Sequence, residues 1–262
     1  MTGLWVGFVA GVLGGLVGVG GGVIMIPLMT EVLGFRQQEA HGTSLVAIVF
    51  TALAGSFVYY LYGSSDIPTA ALLAAAALCT VRLGAKQCSI LPEWKLKRYF
   101  GCFLLFIALL LLLKPFLPHG GGGASPGWIH WGILAVLALL TGYISGMMGV
   151  GGGMIMVPAL VLFVGIGQVT AQGISLLSMI PISMMGTWAH WKLGHIRTSI
   201  LPGLIAGVVA GAYAGGSFAH SIPETELRFV FIALMVYTAS RYLRTRPKQA
   251  DETCAQKNGQ EG

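Results

Sequence analysis

Apolar residues fall along this chain in long blocks, not in the every-second-residue alternation of a half-buried strand. The blocks cover about 4–33, 42–62, 68–86 and 98–117, and then about 128–163, 170–191, 199–219 and 227–243. Stretches of roughly 18 or more apolar residues read as membrane-spanning helices. The run 100–113, prolonged by Pro115 to Leu117, and the run 128–148 are examples. The short alternating segments of a membrane β-barrel are not seen. The pattern predicts an all-α polytopic membrane protein with four hydrophobic segments in each half.

The two halves repeat one another. Gly18-Val19-Gly20-Gly21-Gly22-Val23-Ile24-Met25-Ile26-Pro27 returns as Gly149-Val150-Gly151-Gly152-Gly153-Met154-Ile155-Met156-Val157-Pro158, an offset of 131. At the same offset Ala40-His41-Gly42-Thr43-Ser44-Leu45 meets Ala171-Gln172-Gly173-Ile174-Ser175-Leu176, Gly55 meets Gly186 and Gly63 meets Gly194. Pro92, Leu96 and Lys97 meet Pro223, Leu227 and Arg228. The predicted organisation is a first repeat over 1–117, a Gly/Pro-rich linker over 118–127, a second repeat over 128–243 and a polar tail over 244–262.

Composition sharpens the membrane reading. Only 9% of the 262 residues are charged and 55% are apolar, with a mean hydropathy of +0.80. A soluble domain carries about a quarter charged residues. The first block has no basic stretch before it and no small-residue cleavage site, so it is expected to be retained. Cys79, Cys88, Cys102 and Cys254 show neither metal spacing nor a paired pattern. No cofactor and no metal are expected. The net charge of +6 bears on orientation, not on nucleic acid.

Cytoplasmic loops collect Lys and Arg. If both glycine segments crossed the membrane fully, the cluster Lys86, Lys95, Lys97 and Arg98 would lie opposite Arg241, Arg244, Arg246 and Lys248. If both are re-entrant, 13 of the 15 basic residues fall on one side, leaving only Lys114 and Arg228 on the other with Asp66, Glu224 and Glu226. The second arrangement is the expectation. It gives two inverted four-segment repeats, each with a glycine-tipped re-entrant hairpin and three full crossings, and both termini in the cytoplasm. Inverted repeats are a common secondary-transporter architecture.

Non-helical backbone at membrane depth is tolerated only where protein buries it or it lines a cavity. The glycine runs release N–H groups in conformations closed to other residues. The segments that follow would begin half-helices whose free N–H groups and positive dipole end favour an anion. Glycines also serve close helix packing, but a doubled Gly-x-Gly-Gly-Gly followed by proline points to binding. Without a following Gly-Lys-Ser/Thr the run is not a nucleotide P-loop. It also lacks the strand context of a dinucleotide fold.

The doubled Gly-x-x-Gly-x-Gly-Gly-Gly-x-x-x-x-Pro, over 15–27 and 146–158, is accompanied by Ala-x-Gly-Thr-Ser from Ala40 and Ala-x-Gly-x-Ser from Ala171. In these motifs the chain, over about 4–243, resembles the sulfite/organosulfonate exporters called TauE/SafE. The resemblance implies export of sulfite, sulfoacetate or a related sulfur compound from a bacterial inner membrane. Substrates differ within the family. Ile174 departs from the pattern where the first half has Thr43.

The expected substrate-binding residues are Gly18, Gly20, Gly21, Gly22, His41, Thr43 and Ser44 in the first half. In the second half they are Gly149, Gly151, Gly152, Gly153, Gln172 and Ser175. Arg82 joins them as an intramembrane arginine, although a snorkelling arginine at the cytoplasmic face is the plainer reading. Trp188 and Trp191 read as interfacial belt residues, and His190 as a lone proton carrier. Glu31 is the one carboxylate within a predicted hydrophobic block, so no carboxylate proton relay is expected. Expected partners are a small anion, the lipid bilayer, a coupling ion (proton or sodium) and further copies of the chain, with no nucleic acid. The alternatives are an anion channel on the same scaffold and an intramembrane enzyme. The enzyme would need a nucleophile–base pair or metal ligands that the histidine spacing does not offer.

The charge pattern makes one direct prediction. Cysteines placed at Thr2 and Gln249 should react with a membrane-impermeant maleimide only after the inner membrane is opened. Labelling of either from the periplasm in intact cells would contradict the topology.

Overall fold

The computed structural model describes residues 2–87, 93–113 and 127–244. The connection at 118–126, the tail from 245 onward, Lys114, Cys88, Pro92 and Cys254 lie outside them. Every described regular element is helical. The first repeat contains α1 (Thr2–Val17), α2 (Gly22–Glu31), α3 (Gln37–Leu61), α4 (Ile67–Gln87) and α5 (Glu93–Leu113). The second contains α6 (Gly127–Met148), α7 (Gly153–Ala159), α8 (Gln168–Lys192), α9 (Leu201–Ala219) and α10 (Glu224–Arg244). A π-helical turn, Leu160–Val164, extends α7 just beyond Pro158.

Glycine decides where these helices break. Gly18, Gly20 and Gly21 take φ of 72°, 77° and 77°, and Gly149, Gly151 and Gly152 take 64°, 82° and 89°. L-residues reach that left-handed region only at a cost of roughly 1–2 kcal/mol each. Helix α1 therefore stops at Val17, and α2 starts afresh from a left-handed Gly21 cap. Gly152 does the same for α7. The remaining positive-φ glycines among the described residues are Gly34 with Gly165 and Gly63 with Gly194. All five pairs keep the 131-residue offset, so the repeat extends to backbone conformation.

The halves interlock. Helix α1 packs on α9 and α6 on α4, so the first helix of each half lies against a helix of the other. At the centre α3 lies antiparallel to α8. A Cβ on Gly55 would stand 3.0 Å from Leu176, and one on Gly186 3.0 Å from Leu45. The α1–α9 seam is made by Gly3, Gly7, Gly11 and Gly15 facing Gly207, Gly211 and Gly215. The four-residue spacing stacks these glycines on one face of each helix. Apolar burial supplies little drive between helices in lipid, so close backbone contact has to hold such a pair together.

Among the described residues four helices are long and apolar enough to cross a membrane: Gln38–Leu61, Ile67–Gln87, Gln168–Lys192 and Thr198–Ala219. Six were expected. Helix α5, whose apolar part is Gly101–Leu113, is shorter in that respect. Helix α10 carries Glu224 and Glu226 in its first turn and Arg241 and Arg244 in its last.

Contacts define two ends of the bundle. At one, Gly3 meets Ile200, Arg197 pairs with Glu39 at 3.0 Å, and Glu31 pairs with Arg241. Helix α1 thus begins, and α2 finishes, at the same end. At the other, Ser64 meets His220 at 3.3 Å, and a Cβ on Gly167 would stand 2.7 Å from Glu224.

A Cβ on Gly11 would lie 2.6 Å from the Val208 carbonyl oxygen and 2.8 Å from Val208 Cα. Gly11→Leu should therefore destabilise the α1–α9 seam by about 1–3 kcal/mol, the usual cost of overpacking. Gly132→Ala, with no atom within 4 Å of the new Cβ, should leave the melting temperature in detergent unchanged.

Candidate functional site

The two glycine turns meet. A Cβ on Gly22 would stand 2.9 Å from the Gly149 carbonyl oxygen and 3.2 Å from Val150 Cα. Reciprocally, one on Gly153 would stand 2.7 Å from both Gly18 O and Val19 Cα. Only residues without side chains permit this backbone-to-backbone approach.

Each turn is held by the opposite half. The Ser44 hydroxyl is 2.8 Å from the Gly149 carbonyl oxygen, and Ser175 donates to Gly18 O at 3.1 Å. His41 backs Gly149 and Gln172 backs Gly18. The last turns of α1 and α6 leave carbonyls without intrahelical partners. Tyr59 Oη reaches Gly15 O at 3.1 Å, and His190 Nε2 reaches Gly146 O at 3.0 Å. Tyr59 and His190, like Gly15 and Gly146, are matched at the repeat offset.

Each turn also starts a helix. Ile24 and Met25 donate to Gly21 O, and Ile155 and Met156 to Gly152 O. The N–H groups of Gly22, Val23, Gly153 and Met154 precede those first bonds and have no place in the helical ladder. The space between the turns is filled by one apolar side chain from each half. Positions for a Cβ on Gly20 and on Gly151 both lie 3.0 Å from Ile48 Cγ2, and 3.0 and 3.3 Å from Met179 Sδ. Among the described residues, the buried polar group without a partner beside the first turn is Gln172 Nε2. Its Oε1 lies 2.8 Å from Tyr59 Oη, whose one hydrogen is shared between it and Gly15 O.

Twelve of the residues singled out from the sequence gather here: the eight glycines, His41, Ser44, Gln172 and Ser175. Two stand elsewhere. Thr43 accepts a hydrogen bond from the Arg197 backbone N–H at 3.1 Å, toward the loop after α8. Arg82 is exposed on α4, its Nε 3.0 Å from Met185 Sδ and its guanidinium 4.7 Å above the Trp188 ring. Lys192 lies over the same ring at 3.9 Å. Trp188 borders an apolar cavity of about 430 Å³ between α3 and α8, lined also by Val46, Phe50 and Trp191. Glu31 is at the surface, paired with Arg241. Sequence reasoning passed over Ile48, Tyr59 and Met179. Applying the offset of 131 to the α3 and α8 segments marks Ile48 with Met179 and Tyr59 with His190. Among the described residues no three His, Cys, Asp or Glu side chains assemble as metal ligands would.

A profile of the family described as "Sulfite exporter TauE/SafE" matches residues 3–242, which include both turns and every residue named around them. The chain belongs to the TauE/SafE family. Among its relatives, "Probable membrane transporter protein YunE" of Bacillus subtilis is 28% identical over 222 residues, covering 75% of this chain and 81% of that protein. A "Probable membrane transporter protein" of Xylella fastidiosa is 30% identical over 189 residues, 70% of this chain and 69% of its own. An Arabidopsis thaliana protein named "Sulfite exporter TauE/SafE family protein 3" is 37% identical over 78 residues, 30% of this chain and 16% of the plant protein. No solved structure matches the TauE/SafE chain.

In this TauE/SafE protein Gly20 and Gly151 are the direct test of the turns. Alanine at either must hold a left-handed φ and push a Cβ onto Ile48. Gly20→Ala and Gly151→Ala should each cost about 1–2 kcal/mol of stability, read as a lower melting temperature in detergent. Cys79→Ala, on the exposed side of α4, should melt like the parent.

Proposed function

We propose that this TauE/SafE protein is a secondary transporter that exports a small sulfur-containing anion, sulfite or an organosulfonate, across the bacterial inner membrane. The anion binds near the bilayer midplane between the two glycine turns. The observation that carries this reading is the meeting of the turns, each presenting helix-start N–H groups and each tied by a serine of the opposite half. A helix start offers about half a positive charge without placing a formal charge in the membrane, whereas a buried arginine or lysine would be expensive when the site is empty. Gln172 Nε2, a buried donor with no partner, is the side-chain contact.

The architecture proposed with it has six crossings, formed by α3, α4, α5, α8, α9 and α10. The α1–α2 and α6–α7 pairs are re-entrant hairpins from opposite faces. The start of α1 and the finish of α2 at one end of the bundle support the first hairpin. The basic-residue distribution supports cytoplasmic termini. Binding then requires the turns to part and Met179 to swing aside, which an unbranched thioether does at low cost. Ile174 in place of a threonine leaves the second half without the hydroxyl with which Thr43 holds the Arg197 backbone N–H.

Proteoliposomes test this with a panel of sulfite, thiosulfate, sulfoacetate, taurine and sulfate. The expected result is saturable flux of sulfite or a sulfonate that accelerates when the same anion is present on the far side. Flux that neither saturates nor shows trans-stimulation would indicate a channel, and no flux of any sulfur anion would contradict the substrate class.

A further inference from the structure

The two turns are matched in backbone but not in chemistry. Tyr59 and Gln172 flank the first turn, and neither takes up a proton near neutral pH. His190 and His41 occupy the equivalent places at the second. His190 is also hydrogen-bonded to a second imidazole: its Nδ1 is 3.3 Å from Nδ1 of His195, in the loop after α8. Tyr59 has His220 against its ring at 4.7 Å, but the His220 nitrogens face Gly216 O and Ser64 instead. The symmetry partner of His195 is Ser64. Capping an α-helical carbonyl does not require a titratable ring, since Tyr59 caps Gly15 O with a hydroxyl. The histidine pair calls for a separate explanation.

We propose that His190 and His195 form a proton-binding relay that loads one proton beside the 149–153 turn, and that this proton is the coupling ion of transport. The coupling role rests on the transport reading above; the proton site rests on the geometry alone. The carbonyl oxygen of Gly146 only accepts, so His190 Nε2 carries a hydrogen. Neutral His190 then presents a lone pair at Nδ1, and the Nδ1–H of His195 donates to it. The remaining nitrogen of the pair is His195 Nε2, on a half-buried residue in the loop. A proton that binds there lets the His195 Nδ1 proton pass to His190 Nδ1. The product is a His190 imidazolium that donates to Gly146 O and to His195 Nδ1, with His195 neutral and protonated at Nε2. One proton enters and one positive charge moves inward from loop to helix. That charge arrives at the last turn of α6, where the free carbonyls and the negative dipole end favour a cation.

The surroundings suit such a relay. His190 is fully buried. From α3 come Glu39, held 3.0 Å from Arg197, and His41. Helix α4 contributes Arg82 and Lys86, α8 contributes Lys192, and the last turns of α6 contribute only the Tyr143 phenol. Burial lowers the proton affinity of His195, and the Glu39 carboxylate acts in the opposite sense. The group that meets the outside thus has a carboxylate near it, and the inner group has a helix end.

Two measurements decide the matter on the full-length protein. In the first, ¹⁵N-histidine NMR in nanodiscs follows the ring nitrogens, with only six histidines to assign by single substitution. His190 and His195 should titrate in one shared transition, and His195→Gln should move the His190 transition to lower pH. A His190 ring that stays neutral with Nε2–H while His195 titrates alone would overturn the proton site. In the second, proteoliposomes with a trapped pH dye receive a gradient of sulfoacetate, an anion that stays ionised near neutral pH. The parent should move protons with the anion, His195→Gln should lose that proton movement while still passing sulfoacetate down its gradient, and His190→Gln should lose it as well. Proton movement retained by either variant would overturn the coupling. Absence of sulfoacetate flux in the parent would contradict the transport reading and the coupling role, and the NMR titration alone would then decide the proton site.

Discussion

The structure depends on a breach in helical hydrogen bonding made twice in the middle of an apolar bundle. Unpaired backbone in a membrane interior costs several kcal/mol per group, so the glycine turns persist only if other groups satisfy them. The serines come from the opposite half, Ser44 holding Gly149 and Ser175 holding Gly18, while Tyr59 and His190 cap the last turns of α1 and α6 within their own halves. Neither half can complete its own turn, which ties the duplication to the site.

The same interdependence shapes the packing. Helices α1 and α6 each lie on a helix of the other repeat, in contact too close for side chains at Gly7, Gly11, Gly142 and Gly146. In lipid such seams rest on van der Waals contact rather than on expulsion of water. They are rigid where the backbones touch. At the turns the filling is softer, because Ile48 and Met179 stand where glycines leave room. A transporter needs that contrast: firm seams that move as units around a centre able to open.

Much of this was legible in the chain. Block lengths marked the helical segments, and the repeated Gly-x-Gly-Gly-Gly located both breaks to within a residue or two of Val17 and Met148. The repeat offset also placed His41, Ser44, Gln172 and Ser175 in equivalent positions, which the fold gathers around the turns. What sequence did not reveal were the contacts that cross between halves. Nothing local distinguishes a serine that bonds its own helix from one that reaches 157 residues along the chain, as Ser175 does. Thr43 follows the motif yet turns to the Arg197 backbone, because neighbouring helical residues point about 100° apart. Arg82 has its stacking partner in a different half. His190 looked solitary because His195 lies beyond the end of α8.

The central claim is that an anion sits between the two glycine turns, held by backbone N–H groups. A cryo-electron microscopy structure in lipid nanodiscs with saturating sulfite or sulfoacetate tests it most directly. The account predicts anion density between the N–H groups of Gly22 and Gly153, with Met179 displaced and Gln172 Nε2 in contact. Density that sits only at the Arg82–Trp188 surface, with the turns still closed on each other, would contradict it.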